Sequence, residues 1–140
     1  MAHKTRSIYL AGPMENVSED QMTGWRKVAT GLLIQDERVK ILDPSRRRHS
    51  GEQRHMRRIF EMDLRDIREA DIILVNLNSE KLAKHGTAME VFYASYDLRK
   101  PVVAFKEGIT RYHPFFESLV TEWRSTVEKA CETIIEEYLH

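Results

Sequence analysis

The sequence is poor in cysteine, has no excess of charge of either sign and contains no long apolar run. Its single cysteine, Cys131, excludes an internal disulfide and a pair of cysteine metal ligands, and it favours a reducing, cytoplasmic location. Lysine plus arginine and aspartate plus glutamate each total 22, so no net field draws the chain onto nucleic acid. No window approaches the roughly 18 apolar residues of a membrane span, and residues 1–6 lack the apolar run of a signal peptide. We therefore expect neither nucleic acid nor a membrane as the partner.

Four common signatures of catalysis and nucleotide binding are also missing. The glycine-rich loops GxGxxG and GxxxxGK[ST] do not occur, which argues against the usual dinucleotide and nucleoside triphosphate sites. HExxH and GxSxG do not occur either, so the zinc protease and α/β-hydrolase signatures lack their parts. The sequence therefore indicates none of these four classes of site.

The length and the apolar content predict one globular domain over residues 1–140, with residues 1–6 as a flexible tail. Four short apolar runs closed by loop residues predict strands at residues 7–11, 39–42, 71–77 and 101–105. Helical periodicity fills the segments between and after them, over residues 18–33, 55–70, 86–96 and 114–138. This alternation predicts an α/β fold in which a mostly parallel sheet has helices on both faces. In such sheets, ligands bind beyond the carboxyl ends of the strands.

One carboxylate falls on the apolar stripe of the second predicted helix. Asp63 lies at helical spacing among Met56, Ile59, Phe60, Ile67 and Ala70. A carboxylate on a stripe that faces the core is costly to bury, so it needs a partner, a cavity to line or a proton. Both a structural hydrogen-bonding role and a role in a site are open at this stage.

A second carboxylate, Glu90, stands at the start of the third predicted helix. Thr87 and Glu90 have the spacing of a capping box, in which Thr87 satisfies a free amide and Glu90 complements the helix dipole. The same position also suits a carboxylate that acts on a ligand. The apolar residues of this helix are expected to face the core: Met89, Phe92, Tyr93 and Tyr96.

A basic segment at residues 45–58 is the one cluster of like charge. It fits either a solvated loop that leads into a helix or a rim that attracts anions. Interleaved aromatic residues, on which single-stranded nucleic acid would stack, are missing.

In the predicted fold, Tyr9, Asp63 and Glu90 can converge on one cleft. Cleavage of a glycosidic bond needs such a pair of carboxylates, one to meet the oxocarbenium-like carbon and one acidic group to assist the leaving group.

Three motifs carry a resemblance to a known family. They are Tyr9-Leu10-Ala11-Gly12-Pro13-Met14, Asp63 placed eight residues before Asp71, and Gly86-Thr87-Ala88-Met89-Glu90 followed by Ala94 and Lys100-Pro101-Val102. In this combination, over about residues 8–105, the sequence resembles the nucleoside 2-deoxyribosyltransferase family, whose relatives include the 2′-deoxynucleoside 5′-phosphate N-hydrolases.

The resemblance implies a flavodoxin-like three-layer sandwich that forms a homodimer or a higher homo-oligomer and cleaves an N-glycosidic bond with retention, without a metal or a cofactor. Glu90 matches the nucleophile that forms a glycosyl-enzyme, Asp63 the acid that contacts and protonates the base, and Tyr9 the phenol that positions the nucleophile. The residues that would border the small-molecule substrate are Gly12, Pro13, Met14, Lys84, His85, Gly86 and Thr87.

Position 84 departs from the family pattern. Where the transferases generally have an aspartate that contacts the sugar 5′-hydroxyl, this chain has Lys84, followed by His85. A lysine reverses the sign of the charge and can pair with a phosphate, although it equally fits a side chain in solvent. The Gly12-Pro13-Met14 turn, by contrast, is transferase-like.

Three functions are therefore open. The favoured one is hydrolysis of a (2′-deoxy)nucleoside 5′-monophosphate to free base and sugar phosphate. The alternatives are exchange of bases on 2′-deoxyribose and a non-catalytic nucleotide-binding domain in which Glu90 is only a cap.

Overall fold

A five-stranded parallel sheet with the strand order β2-β1-β3-β4-β5 organises the structure, a computed structural model that describes residues 4–14, 17–48, 56–78, 85–108 and 113–139. The strands are β1 (Arg6–Ala11), β2 (Val39–Leu42), β3 (Ile72–Asn76), β4 (Val102–Phe105) and β5 (Glu122–Arg124). This confirms the predicted α/β class, and the order is that of flavodoxin-like folds. β1 begins at Arg6, which had been assigned to the flexible tail.

Helices cover both faces of the sheet, as predicted. They are α1 (Glu19–Leu33), α2 (Ser45–Arg48), α3 (Met56–Glu69), α4 (His85–Phe92), α5 (Pro114–Leu119) and α6 (Val127–Thr133). Two π-helical turns extend the chain after α4 and α6, at Tyr93–Asp97 and Ile134–Tyr138. Ser18 caps α1, because Ser18 and Gln21 form both hydrogen bonds of a capping box. No helix within the described ranges is long and apolar enough to cross a membrane.

Alternation along β1 decides which residues face the site. Successive side chains of a strand point to opposite faces of a sheet. Ile8 and Leu10 pack in the hydrophobic cluster shared with α1 and α6, whereas Tyr9 and Ala11 pack in the cluster shared with α3, α4 and α5. Tyr9 therefore points toward the helices that carry the two candidate carboxylates.

The single long helix predicted for residues 114–138 is wrong. The structure has the short helix α5, then β5 paired in parallel with β4, and then α6. The chain is extended at Glu122–Arg124 because pairing with β4 provides hydrogen-bond partners for its backbone. Thr126 then caps α6 by accepting a hydrogen bond from the Lys129 amide. Apolar residues of α5 and α6 happened to continue one helical spacing across the strand.

Candidate active site

A cleft of about 380 Å³ opens at the carboxyl end of β1, between α3 and α4. The strand order places β2 and β3 on opposite sides of β1, so the cleft lies where the chain switches direction across the sheet. Its volume suits a small organic ligand. The cleft is lined by Gly12, Pro13, Met14, Met56, Ile59, Phe60, Asp63, Leu64, His85, Gly86, Thr87, Met89, Glu90 and Tyr93.

Glu90 is held from beneath by Tyr9. The Tyr9 side chain is fully buried, and its hydroxyl donates a hydrogen bond to Oε2 of Glu90. Burial, and then the negative charges of Glu90 and Asp63, raise the pKa of Tyr9 well above its ordinary value, while the positive charge of Arg26 works in the other direction. Tyr9 is therefore a neutral donor that fixes the orientation of the Glu90 carboxylate.

The interpretation of Thr87 and Glu90 as a capping box is wrong. Thr87 is buried and lies inside α4, which has begun by His85, whereas an N-cap residue precedes its helix. The Glu90 carboxylate binds the Tyr9 hydroxyl, 81 residues away in the chain, and lines the cleft. A long-range partner has taken the place of the local one.

Asp63 lines the same cleft from α3 and is paired with an arginine that was not singled out in the sequence. Arg47 Nη1 lies 2.5 Å from Oδ1 of Asp63, and Arg47 Nη2 bonds to Oδ2 of the buried Asp66. Partial burial of Arg47 works against its charge, but the two carboxylates outweigh it and raise the pKa of Arg47. The basic segment at residues 45–58 thus contributes a structural ion pair as well as charge near the cleft, and residues 49–55 of it lie outside the described residues.

The structure brings most of the predicted substrate-binding residues to the rim. Gly12, Pro13 and Met14 follow β1 into the cleft, and the first three residues of α4, His85, Gly86 and Thr87, line it from the other side. Lys84 lies outside the described residues.

Several apolar residues predicted to face the core instead line the cleft or the surface. Met56 and Phe60 of α3 and Met89 of α4 line the cleft and are 45%, 49% and 66% exposed. Phe92 and Tyr96 are also exposed, and their rings stack with centroids 5.3 Å apart. Helical periodicity identified the apolar stripes correctly but could not distinguish a wall of a cleft from a core.

Arg26 is the second functional candidate that the sequence reasoning missed. Its guanidinium is 1% exposed, and it donates to the carbonyl oxygens of Met22, Leu10 and Gly12. A Cβ at Gly12 would lie 2.9 Å from the Trp25 ring and 3.4 Å from Nη2 of Arg26, so this turn has room only for glycine. The signal in the sequence was Arg26 itself, a charge between apolar residues of the α1 stripe.

Comparison with known proteins agrees with this architecture. A family model described as nucleoside 2-deoxyribosyltransferase matches residues 8–135. The chain is similar to a solved 2-deoxyribosyltransferase from Bacillus psychrosaccharolyticus, at 24% identity and a TM-score of 0.70, covering 94% of this chain and 91% of that one. It is also similar to a deoxyribosyltransferase from Leishmania mexicana, at 21% identity and a TM-score of 0.69, covering 96% of this chain and 99% of that one. No curated protein sequence matches the chain.

The two structural similarities, at these identities, support the fold. The family match covers most of the chain, from β1 to the turn that follows α6, and it includes all three residues of the candidate site. The chain therefore belongs to the nucleoside 2-deoxyribosyltransferase family.

Proposed function

We propose that this chain cleaves the N-glycosidic bond of a (2′-deoxy)nucleoside or its 5′-monophosphate through a covalent glycosyl-enzyme on Glu90. The observation that carries the proposal is the placement of Glu90, whose carboxylate lines the cleft and accepts a hydrogen bond from the buried, neutral phenol of Tyr9. Asp63 lines the same cleft from a different helix. Two carboxylates in one cleft support the proposal, because glycosidic cleavage uses such a pair.

In the first step, an oxygen of Glu90 forms a bond to C1′ of the sugar as the bond from C1′ to the base nitrogen breaks. The bonding electrons leave with the base, which takes up a proton from solvent water. In the second step, water or a second base attacks C1′, gives up its proton to solvent and releases the Glu90 carboxylate, so that two inversions give retention.

Tyr9 and Asp63 support this chemistry differently. The hydrogen bond from Tyr9 holds the nucleophile in one orientation, which favours a near-attack geometry. Asp63 stands in an ion pair with Arg47, so we expect it to accept a hydrogen bond from the bound base. Proton donation by Asp63 to the leaving base would require this ion pair to open.

Hydrolysis of a 5′-monophosphate remains our first candidate for the overall reaction. It rests on Lys84 in the sequence, together with His85 at the mouth of the cleft. Base transfer is the second candidate, and the solved relatives named as deoxyribosyltransferases favour it. Both reactions share the glycosyl-enzyme and differ in what intercepts it.

One experiment tests the proposal and separates the two reactions. Base release is measured by chromatography across the 2′-deoxynucleosides, the ribonucleosides and their 5′-monophosphates, with and without an added free base. We expect Glu90→Gln to abolish base release without loss of the fold, whereas Glu132→Gln, on the exposed face of α6, leaves it unchanged. Formation of a new nucleoside with the added base identifies a transferase.

The phosphate preference has its own test. If Lys84 binds a 5′-phosphate, Lys84→Ala raises KM chiefly for phosphorylated substrates. Equal use of phosphorylated and unphosphorylated substrates by the native chain would remove the argument for a monophosphate. Tight, reversible nucleotide binding without turnover would instead favour the non-catalytic alternative.

We also propose that the chain forms a homodimer or a higher homo-oligomer through the exposed apolar face of α4 and its π-helical turn. Met89, Phe92 and Tyr96 give this face three large apolar side chains beside the cleft. Sedimentation analysis should show a smaller fraction of oligomer for Phe92→Asp than for the native chain. The control Val28→Asp, at an exposed position of α1, should leave the oligomer fraction unchanged. A native chain that sediments as a monomer would contradict this.

A further inference from the structure

The guanidinium of Arg26 lies buried beneath the cleft. Burial lowers the pKa of Arg26, and the negative charge of Asp43, followed by Tyr9, Glu90 and Asp63, works in the other direction. A guanidinium nevertheless stays charged at physiological pH. A buried charge is costly unless it is paired and hydrogen-bonded, so the partners of Arg26 indicate what it holds in place.

The partners of Arg26 are the structures that shape the cleft. Nη2 donates to the carbonyl oxygens of Leu10, at 3.3 Å, and Gly12, at 3.1 Å. Nη1 donates to the Met22 carbonyl at 2.6 Å, which anchors the same side chain in α1. These bonds fix the path of the chain immediately after Tyr9, where β1 ends and Pro13 enters the cleft.

A second set of contacts leads from Arg26 toward Asp63. Nε of Arg26 lies 3.5 Å from Oδ1 of Asp43, at the end of β2. The same Asp43 oxygen accepts hydrogen bonds from the amide and the hydroxyl of Ser45, at 2.9 and 2.6 Å, where α2 begins. Arg47, also in α2, then binds Asp63. Polar contacts at the start of α2 and at Arg47 thus link Arg26, through this short helix, to the second carboxylate of the cleft.

The charge of Arg26 also matters to the site. Tyr9, Asp63 and Glu90 are three acidic groups, and each interacts electrostatically with Arg26. Glu90 must be ionised to act as a nucleophile. The positive charge of Arg26 interacts electrostatically with Glu90 and favours the ionised carboxylate.

From these contacts we propose that Arg26 is a positioning residue for the cleavage reaction. It holds the Gly12–Pro13 turn and, through Asp43 and α2, it holds the Asp63 carboxylate. It also supplies the positive charge behind Glu90. The proposal rests on the function proposed above. A purely structural arginine, by contrast, would only fasten α1 to the sheet.

The test uses variants that separate geometry from charge. Arg26→Lys keeps the charge but not the planar set of donors, Arg26→Met removes both, and Asp43→Asn removes the charge of the partner that leads to α2. The matched control is Arg38→Gln. Arg38 pairs with Asp36 at 2.7 Å at the opposite, amino end of the sheet.

Each variant is measured by kcat and KM on the best substrate from the panel of nucleosides and 5′-monophosphates, by the pH dependence of kcat/KM, and by urea unfolding. We expect both Arg26 variants to lower kcat about tenfold or more, with a smaller change in KM. Arg26→Met should also move the acid limb of the pH profile to higher pH, because Glu90 loses the nearby cation. Tyr9, which binds Glu90, is the same in every variant, and so are Asp63 and His85, which line the same cleft.

Native kcat and a native acid limb in folded Arg26→Lys and Arg26→Met would overturn the proposal, even if both variants were less stable. If the Arg26 variants do not fold, Asp43→Asn decides, because it leaves Arg26 in place. A native kcat in that variant would overturn the connection to Asp63, and a several-fold loss would support it.

If the native chain turns over none of the panel, the proposed function fails first. Arg26 is then judged by calorimetric affinity for the same nucleotides, and equal affinity of Arg26→Lys and the native chain would overturn its role.

Discussion

Replacing Tyr9 with phenylalanine removes the hydroxyl that binds Glu90 and changes little else. The ring is fully buried among Ala11, Ile73 and Val91, and a phenylalanine retains that apolar contact. A hydrogen bond to a charged partner contributes about 1.5–3 kcal/mol. If that energy holds the nucleophile in its reactive orientation, kcat falls by about 10- to 150-fold. The free energy of unfolding should fall by a smaller amount, about 1–2 kcal/mol.

The assay is steady-state base release with urea unfolding measured in parallel. The matched control is Tyr138→Phe, because the Tyr138 hydroxyl also interacts with a carboxylate, that of Glu122, on the opposite face of the sheet. We expect the control to lose stability and keep the native kcat. A Tyr9→Phe enzyme with native or higher kcat would refute the claim that Tyr9 positions the nucleophile.

Three further predictions follow from packing, burial and pairing. Gly12→Ala should reduce activity and stability, because the new methyl group would lie 2.9 Å from the Trp25 ring. The control Gly31→Ala places its methyl group in open space and should stabilise α1 by about 0.5–1 kcal/mol in urea unfolding. Equal effects of the two substitutions would contradict this prediction. Burial is the main cause that raises the pKa of Cys131 to about 12. A thiol reagent at about pH 8, followed by absorbance, should therefore modify Cys131 only after the protein unfolds. Rapid reaction of the native protein would contradict this prediction. Arg47→Gln removes a cation that pairs with two partly buried carboxylates, so it should lower the free energy of unfolding by about 1–3 kcal/mol. An unchanged urea midpoint would show that the ion pair contributes nothing.

Burial of Tyr9 also gives a pH dependence with a definite sign. Its pKa is raised in the folded state by burial and by the neighbouring carboxylates. The resulting stability is therefore fully present below the ordinary tyrosine pKa of about 10 and is lost as the pH rises toward the folded value. Urea unfolding between about pH 9 and 11 should show that Tyr9→Phe loses less stability than the native chain over this range. An identical loss in both would contradict the assignment.

The central strands could be predicted because a local pattern of apolar residues specifies them. A strand buried on both faces is apolar at nearly every position, as β3 and β4 are, and its length and boundaries follow from the sequence. The three-residue β5 has no such signature. It contains Glu122 and Arg124, and it becomes a strand because β4 offers an open edge. Pairing with a distant strand overrode helical spacing there.

The same distinction applies to the site. The convergence of Tyr9, Asp63 and Glu90 could be expected from an alternating α/β order, since the helices pack on the faces of the sheet and ligands bind beyond the carboxyl ends of its strands. The pairing of Arg47 with Asp63 and of Arg26 with the end of β1 could not, because the partners lie 16 and 14 to 16 residues apart and meet only once the helices are docked. Glu90 is the opposite case. The sequence places Thr87 and Glu90 at the spacing of a capping box, but in the structure the Glu90 carboxylate binds the distant Tyr9 hydroxyl.

The most direct test of the account is to trap the sugar on the enzyme. A 2′-deoxy-2′-fluoro nucleoside or its 5′-monophosphate slows both steps, because fluorine destabilises positive charge at C1′. Intact-mass and peptide mass spectrometry of the quenched reaction should find the fluorosugar on the peptide that contains Glu90, and Glu90→Gln should show neither the label nor base release. Base release by Glu90→Gln at the native rate, or a label on any other residue, would contradict the account.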